Sequence, residues 1–216
     1  MAQKGIREYD AKRMMAEALP EFSDGKFKYE AKQVLIGPDT DWKKVEKENP
    51  WLKKEKLVAK PDQLFGKRGK NNLLFVNKSL DEVKKWINER MNKKVTITQT
   101  TGKTKGKLTH FLVEKFVPHD SEYYIAITTH REKDTIHFST KGGVNIEEVW
   151  DTVVEFDIPI LKEIDEIDVK GFLPKELGDK KETVANFIKS LYKMLVDYHF
   201  VYLELNPFTF VNNEPV

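Results

Sequence analysis

The chain contains no cysteine, which excludes disulfide bonds, thiolate metal sites and cysteine nucleophiles. It has no apolar run near the roughly 20 residues that a membrane-spanning helix needs, and Met1–Gly5 lacks the apolar stretch of a signal peptide. Neither sign of charge is in marked excess, since 37 Lys and Arg face 35 Asp and Glu. We therefore expect a cytoplasmic protein that binds neither membranes nor nucleic acid.

Motifs of several enzyme classes are also absent from the sequence. No Gly-x-x-x-x-Gly-Lys-Ser/Thr pattern occurs, which excludes a P-loop. No Gly-x-Ser-x-Gly or His-Glu-x-x-His pattern occurs, so the hydrolase and zinc-protease sites that use them are excluded. The 5 histidines do not have the spacing of a metal site, and no residue is assigned a catalytic role.

The order of apolar and polar residues predicts an irregular alternation of helices and strands. Helical spacing and start signals predict helices over Gly5–Leu19 (ended by Pro20), from Asp39 or Thr40 to Glu48, after Ser79 and after Asp179. Runs of β-branched and aromatic residues predict strands at Gln33–Ile36, Leu57–Lys60, Leu73–Asn77, Val95–Thr98, Leu108–Val117, Tyr123–Thr129, Thr135–Ser139 and Val201–Asn206. Thr100–Lys107 is predicted to be a mobile loop, and Phe156–Leu173 is left unassigned. Hairpins explain the adjacent strands, so the expected class is α+β, or mixed α/β, in two lobes.

A basic loop follows the predicted strand that ends in Lys60. It contains Arg68, Gly69 and Lys70. Cations around a flexible glycine suit a polyphosphate, because charge-assisted contacts combine with backbone amides that glycine allows to approach closely. An ordinary solvated loop explains the same residues, and local evidence alone favours that explanation.

Two further segments suit a nucleotide. Glu114–His119 leaves a strand and turns at Pro118, which fits a hinge whose backbone pairs with an adenine edge, and Glu122 follows as a possible acceptor from ribose hydroxyls. Glu204 and Asn206 lie two residues apart on one side of a strand, where hard oxygen ligands suit Mg²⁺. By spacing alone, a strand end with solvated charges is the favoured explanation of the first segment. A strand end followed by a turn at Asn206-Pro207 is a common explanation of the second.

Segments in order along almost the whole chain resemble the N-terminal region of ATP-citrate lyase. They are Pro38–Trp42, Asn49–Leu52, Leu57–Leu64, Lys67–Lys70, Phe111–Glu114, Phe116–His119 and Tyr202–Pro207. Glu8–Lys12 and Gly142–Glu147 resemble, more distantly, the β subunit of succinyl-CoA synthetase. The wider group is the ATP-grasp proteins of the acyl-CoA synthetase type.

The resemblance implies a two-lobe ATP-grasp fold that holds ATP between a lobe of residues 1–21 and 117–216 and an inserted lobe of residues 22–116. The implied contacts are Lys60, Arg68 and Gly69 to phosphate, the backbone of Lys115 and Val117 to adenine, Glu122 to ribose and Asn206 to Mg²⁺. The family often has proline where Lys115 stands, and the segment from the hinge to Glu122 is shortened. A second metal ligand, an Asp, is expected just past Val216.

The activity implied by analogy is the MgATP-dependent conversion of citrate and CoA to acetyl-CoA and oxaloacetate through citryl phosphate and citryl-CoA, with ATP/ADP and Mg²⁺ as cofactors. The remainder of the same enzyme, or a second subunit, is expected to supply the phosphohistidine, citrate and CoA sites in an oligomeric full-length enzyme. This part alone is expected to bind nucleotide without turnover. Two alternatives stay open: a citryl-CoA synthetase or succinyl-CoA synthetase β-like subunit without lyase activity, and a noncatalytic domain whose basic loop docks an acidic partner.

Overall fold

The structure, a computed structural model, describes residues 4–99, 102–143 and 146–216. The chain divides into two compact units, Met1–Met14 with Ala31–Pro118 and Met15–Glu30 with His119–Val216. The lobes expected above, residues 1–21 with 117–216 and residues 22–116, stay a prediction. In the described residues, no helix is both long enough and apolar enough to span a bilayer.

Helix α1 spans Glu8–Phe22 and contributes residues to both units. The prediction that this helix ends before Pro20 is wrong, because Pro20 lies inside its last turn. Leu19 beside it is fully buried. The stabilisation from this packing outweighs the loss of the one backbone hydrogen bond that a proline cannot donate. The chain leaves the helix at Gly25, which has a φ of 75° and donates its N–H to the Pro20 carbonyl.

The first unit contains a four-stranded sheet. Its elements after α1 are β1 (Gln33–Ile36), α2 (Trp42–Glu48), β2 (Leu57–Pro61), β3 (Phe75–Lys78), α3 (Leu80–Arg90), β4 (Lys94–Gln99), β5 (Gly102–Lys107) and β6 (Phe111–Lys115). The sheet order is β1-β6-β2-β3, and every neighbouring pair is antiparallel. Side chains alternate along β2, so Leu57 and Ala59 enter the apolar core with α3 residues, whereas Lys60 points to the other face.

The helix starts were predicted with mixed success. The capping box of Ser79 and Glu82 at α3 is confirmed. The cap of α2 is Asp41, not Asp39 or Thr40, and its carboxylate accepts the N–H groups of Lys43 and Lys44. Asp179 does not cap the long helix that follows it, because a 3₁₀ turn over Lys175–Lys180 runs directly into that helix.

The prediction of a mobile loop over Thr100–Lys107 is wrong for the part that the structure describes. Gly102–Lys107 forms strand β5, which pairs antiparallel with β4. Thr100 and Thr101 lie outside the described residues. The buried side chain of Ile97 in β4 joins the core of the first unit. This packing stabilises the two-stranded ribbon of β4 and β5, which the lysine and glycine content of β5 does not indicate.

The second unit contains a sheet with the order β10-β7-β8-β9, again with antiparallel neighbours. Its elements are β7 (Tyr123–Thr129), β8 (Lys133–Ser139), β9 (Val154–Pro159), α4 (Val169–Phe172), α5 (Lys181–Asp197), β10 (Tyr202–Phe208), β11 (Phe210–Val211) and β12 (Glu214–Pro215). The predicted pairing of β7 and β8 as a hairpin is confirmed. The segment Phe156–Leu173, which the sequence leaves unassigned, contains most of β9 and the whole of α4. Helix α5 buries Phe187 and Leu191 against Ile125 and Phe138 of the sheet. Together the two units confirm the α+β class.

Candidate functional site

Lys60 lies at the centre of an ion cluster in the first unit. Its Nζ lies 2.7 Å from Glu8 Oε1 and 2.7 Å from Glu114 Oε1, and its side chain is only 13% exposed. Lys12 Nζ contacts the same two carboxylates, at 3.1 Å from Glu8 Oε1 and 2.5 Å from Glu114 Oε2. Arg68 Nη2 lies 2.5 Å from Glu8 Oε2. Three cations and two carboxylates leave the cluster with one net positive charge.

The local structure explains why these side chains meet. β2 and β6 are antiparallel neighbours, and Glu114 stands opposite Val58, two residues before Lys60, so both charged side chains leave the same face of the sheet. Glu8 and Lys12 are one helical turn apart on α1 and therefore share a face. The Arg68 guanidinium donates through Nη1 to the Pro61 carbonyl at 3.0 Å, which holds it beside the end of β2.

The cations keep both carboxylates ionised. Burial by itself would raise the pKa of Glu8, but the charges of Lys60, Lys12 and Arg68 outweigh it and hold that pKa well below its ordinary value. Burial also opposes ionisation of Glu114, yet Lys12 and Lys60 lower its pKa overall. The cluster is therefore a network of full charges at neutral pH.

Asp62, two residues after Lys60, is buried beside the start of α1. It is 1% exposed, and its Oδ1 accepts the Tyr9 N–H at 3.2 Å. Its Oδ2 has no hydrogen-bond partner among the described residues. Burial raises the pKa of Asp62, and the negative charge of Glu8 raises it further. The sequence predicts no role for the side chains of Asp62, Glu8, Lys12 and Glu114, although each residue lies in a segment that carries the family resemblance.

The basic loop is ordered by its own hydrogen bonds and by β4. The Asn71 side chain donates to the Lys67 carbonyl at 2.8 Å and to the Thr98 carbonyl at 3.1 Å, and accepts the Thr98 N–H at 3.0 Å. The Gly69 carbonyl accepts the Asn72 N–H at 3.1 Å, so Gly69 lies in a turn directly beside Arg68. Asn71 thereby fixes the loop that presents Arg68 and Gly69.

The predicted adenine hinge lies at the end of β6. The backbone N–H of Lys115 donates to the Lys32 carbonyl, and that of Phe116 donates to the Lys56 carbonyl, so neither N–H is available to a base. The side chain of Lys115 pairs with Glu55 at 3.0 Å. The contacts expected of the Lys115 and Val117 backbone with adenine stay predictions.

In the second unit, Glu122 and Asn206 meet at Gly143. The Gly143 N–H donates to Asn206 Oδ1 at 2.7 Å, and a Cβ on Gly143 would lie 2.3 Å from Glu122 Oε2. The φ of Gly143 is +96°, which also favours glycine. Glu122 Oε1 lies 3.1 Å from His119 Nε2. In the sequence, Gly143 belongs only to a segment with a distant family resemblance, and nothing there indicates that it joins two candidate residues.

The donor set around Asn206 fits Mg²⁺ in part. Its amide oxygen accepts one N–H and keeps a second lone pair, and Mg²⁺ usually takes one or two protein oxygens besides phosphates and water. Glu204 accepts the Tyr202 hydroxyl at 2.8 Å. Burial, followed by the charge of Glu204, raises the pKa of Tyr124 to about 12. Among the described residues, no three His, Asp or Glu side chains converge as a metal site.

The family model of the ATP-citrate synthase ATP-grasp domain matches residues 2–216. The chain belongs to this family. It is 40% identical over 218 residues to ATP-citrate synthase alpha chain protein 2 of Oryza sativa subsp. japonica. This match covers 100% of this chain and 49% of the rice protein. It is 37% identical over 212 residues to the ATP-citrate synthase of Mus musculus, which covers 96% of this chain and 19% of the mouse protein.

Solved structures confirm the ATP-grasp fold of this family. A structure of ATP citrate lyase from Methanothrix soehngenii in complex with citrate and coenzyme A matches with a TM-score of 0.88 and 45% identity, over 100% of this chain and 49% of that chain. An acetyl-coenzyme A synthetase from Ca. Korarchaeum cryptofilum, 16% identical with a TM-score of 0.54, shares the fold alone. The chain thus spans about half the length of the rice protein and about a fifth of the length of the mouse protein. The comparisons support the ATP-citrate lyase interpretation and not the synthetase alternative.

Proposed function

We propose that the chain binds MgATP and MgADP as the ATP-grasp part of an ATP-citrate lyase. The whole enzyme would convert citrate and CoA to acetyl-CoA and oxaloacetate through citryl phosphate and citryl-CoA. The observation that carries the proposal is the convergence of Lys60 and Arg68 at one partly buried carboxylate, in a chain of this family. Such a pair of cations is suited to the oxygens of a polyphosphate.

Each expected contact has a defined role in this proposal. Lys60 and Arg68 neutralise the charge that develops on the transferring phosphoryl group, and Gly69 allows the backbone to approach a phosphate. The Lys115 carbonyl and the Val117 backbone receive the adenine edge, and Glu122 accepts from the ribose. Positioning and electrostatics are the contributions expected of this part of the enzyme, which would bind nucleotide without turnover.

Asn206 would hold Mg²⁺ through its amide oxygen, together with the nucleotide phosphates. When bound, the ion supplies positive charge to the phosphate oxygens. The Gly143 N–H fixes the Asn206 side chain so that its oxygen keeps one orientation. Gly143 is therefore proposed to support both the metal ligand and, through Glu122, the ribose contact.

The remaining parts of the reaction belong to the rest of the enzyme or to a second subunit. These parts would supply the phosphohistidine, the citrate site and the CoA site, in an oligomeric enzyme of the cytoplasm. The coverage of the relatives agrees with this division, since the chain spans 49% of the rice protein and 19% of the mouse protein.

Thermal unfolding with and without nucleotide tests this function. A ligand at a hundred times its dissociation constant stabilises the folded state by about 2.7 kcal/mol, so MgADP is expected to raise the unfolding temperature by several degrees. Arg68→Ala is expected to remove most of this shift, whereas Lys43→Ala, on the exposed side of α2, is expected to keep it. No shift with MgATP or MgADP in the unmodified chain would refute nucleotide binding.

A further inference from the structure

Glu8 occupies the place between the two cations that are proposed to hold phosphate. Its Oε1 lies 2.7 Å from Lys60 Nζ, and its Oε2 lies 2.5 Å from Arg68 Nη2. A carboxylate with one oxygen on each cation makes the same kind of contacts as two phosphate oxygens. Polyphosphate and Glu8 are therefore expected to compete for part of the same positive charge.

The two oxygens of Glu8 are not held equally well. Oε1 contacts both Lys60 and Lys12, at 2.7 Å and 3.1 Å. Oε2 is buried, and although it lies close to Arg68 it accepts no hydrogen bond from any described residue. Among the described residues, Oε2 is therefore held by one cation, whereas Oε1 is held by two.

Arg68 can exchange this contact without losing its place. Its Nη1 donates to the Pro61 carbonyl at 3.0 Å, and the hydrogen bonds of Asn71 hold its loop. Lys60 keeps Glu114 at 2.7 Å whether or not Glu8 moves. Loss of the Glu8–Arg68 contact therefore leaves every other member of the cluster paired.

We propose that Glu8 is a positioning residue that competes with nucleotide phosphate. Its carboxylate holds Arg68 beside Lys60 in the nucleotide-free chain and yields Arg68 when a polyphosphate binds. Glu8 thus stabilises the fold and lowers nucleotide affinity at the same time. This inference rests on the phosphate contacts proposed for Lys60 and Arg68.

Calorimetric titration of the full chain with MgADP and with inorganic tripolyphosphate tests the inference. Glu8→Gln keeps the shape of the side chain and removes its charge, which raises the net charge of the cluster from one to two. We expect about fivefold tighter binding of both ligands, the effect of one modest ion pair, together with a lower unfolding temperature. Asp10→Asn, a matched acid-to-amide change in the same helix with a half-exposed side chain, is expected to change neither.

Tighter binding with lower stability is a combination that a merely structural role does not produce, because a loosened site binds more weakly. Unchanged or weaker binding by Glu8→Gln would overturn the inference, and so would equal tightening by Asp10→Asn. If Glu8→Gln does not fold, Glu8→Asp withdraws the carboxylate from Arg68 while keeping its charge, and a smaller tightening is expected. Unchanged or weaker binding by that variant would also overturn it.

The two proposals fail in different ways. If the unmodified chain binds MgADP, and Arg68→Ala weakens that binding while Glu8→Gln does not tighten it, the proposed function stands and competition by Glu8 is wrong. If the unmodified chain binds neither MgADP nor tripolyphosphate, both proposals are wrong.

Discussion

Two basic, glycine-containing segments of the first unit look alike in sequence and differ in structure. The loop Gln63–Asn72, after Lys60, presents Arg68 to the partly buried carboxylate of Glu8. Strand β5 instead places Lys103, Lys105 and Lys107 on an exposed face of a two-stranded ribbon. Composition is therefore a poor guide to which lysines and arginines form a site. A basic residue becomes part of the ion cluster where the fold brings acidic residues close to it.

The neighbours of each segment explain the difference. Lys60 has Glu114 on the adjacent strand and Glu8 on α1. On the ribbon, Lys105 stands opposite Thr96 and Lys107 opposite Lys94, and no Asp or Glu occurs between Glu89 and Glu114 in the sequence. In the described part of the chain, no ion pair involves these three lysines. Lysines of this kind protect exposed strands from pairing with other chains.

The largest expected effect is on stability and comes from removing the charge of Lys60. Lys60→Met keeps most of the side chain's length but leaves Glu8 and Glu114 with less compensating charge. Breaking a buried ion pair costs about 3–5 kcal/mol, and the low exposure of Lys60 places this change near that range. Urea unfolding measures the loss. Lys105→Met on the ribbon is expected to change stability by less than about 0.5 kcal/mol, and equal losses would erase the distinction between the segments.

Asn71 joins the loop to β4, the strand that pairs with β5, and its replacement gives the next largest effect. Asn71→Ala removes three side-chain hydrogen bonds, two of them to Thr98 of β4. We expect a loss of about 0.5–1.5 kcal/mol in unfolding free energy, because the loop loses hydrogen bonds to exposed Thr98 backbone groups that water can satisfy instead. MgADP binding is expected to weaken as well, since the loop carrying Arg68 is less well fixed. Unchanged binding in a destabilised variant would show that the loop does not depend on the ribbon.

The pH dependence of stability separates the buried cluster from the ribbon. The pKa values of Glu8 and Glu114 are lower in the folded chain than the ordinary 4.5, so the unfolded chain takes up protons first as the pH falls. Their contribution is present above pH 4.5 and is lost as the pH drops through their folded values. Glu114→Gln is expected to flatten the stability profile below pH 4.5. The same slope in the variant and the unmodified chain would contradict the assigned charges.

The smallest effect is expected on the ribbon. Lys107 stands directly opposite Lys94, and like charges in this arrangement repel each other weakly. Lys107→Gln is therefore expected to raise unfolding free energy by a few tenths of a kcal/mol at low salt, and by less at 1 M salt, where charges are screened. A loss of stability would show that the lysine takes part in a contact.

Local pattern predicted those parts of the fold that depend on neighbouring residues. The alternation in β2 and the capping box at Ser79 are examples. β5 was missed because its support comes from pairing with β4 and from the burial of Ile97, neither of which lysine and glycine content reveals. Pro20 was taken for a helix end because the packing of Leu19 is a tertiary effect.

Of the ion cluster, the sequence predicts two cations, Lys60 and Arg68, and misses Lys12 and both carboxylates. Lys60 and Arg68 came from the family resemblance, whereas Glu8 is far from both in the chain and meets them only after α1 and β2 are formed. Gly143 was missed for the same reason, since its contact with Asn206 spans 63 residues. The roles of Lys60, Arg68, Gly69, Lys115, Val117, Glu122 and Asn206 stay predictions.

The most direct test of the account compares MgADP binding by Lys60→Met and Lys105→Met, measured by titration calorimetry at a temperature where both variants are folded. Each change removes one lysine charge from the first unit. The account predicts at least about tenfold weaker binding by Lys60→Met, and binding by Lys105→Met within about twofold of the unmodified chain. Equal affinities for the two variants, or a larger loss at Lys105, would contradict it.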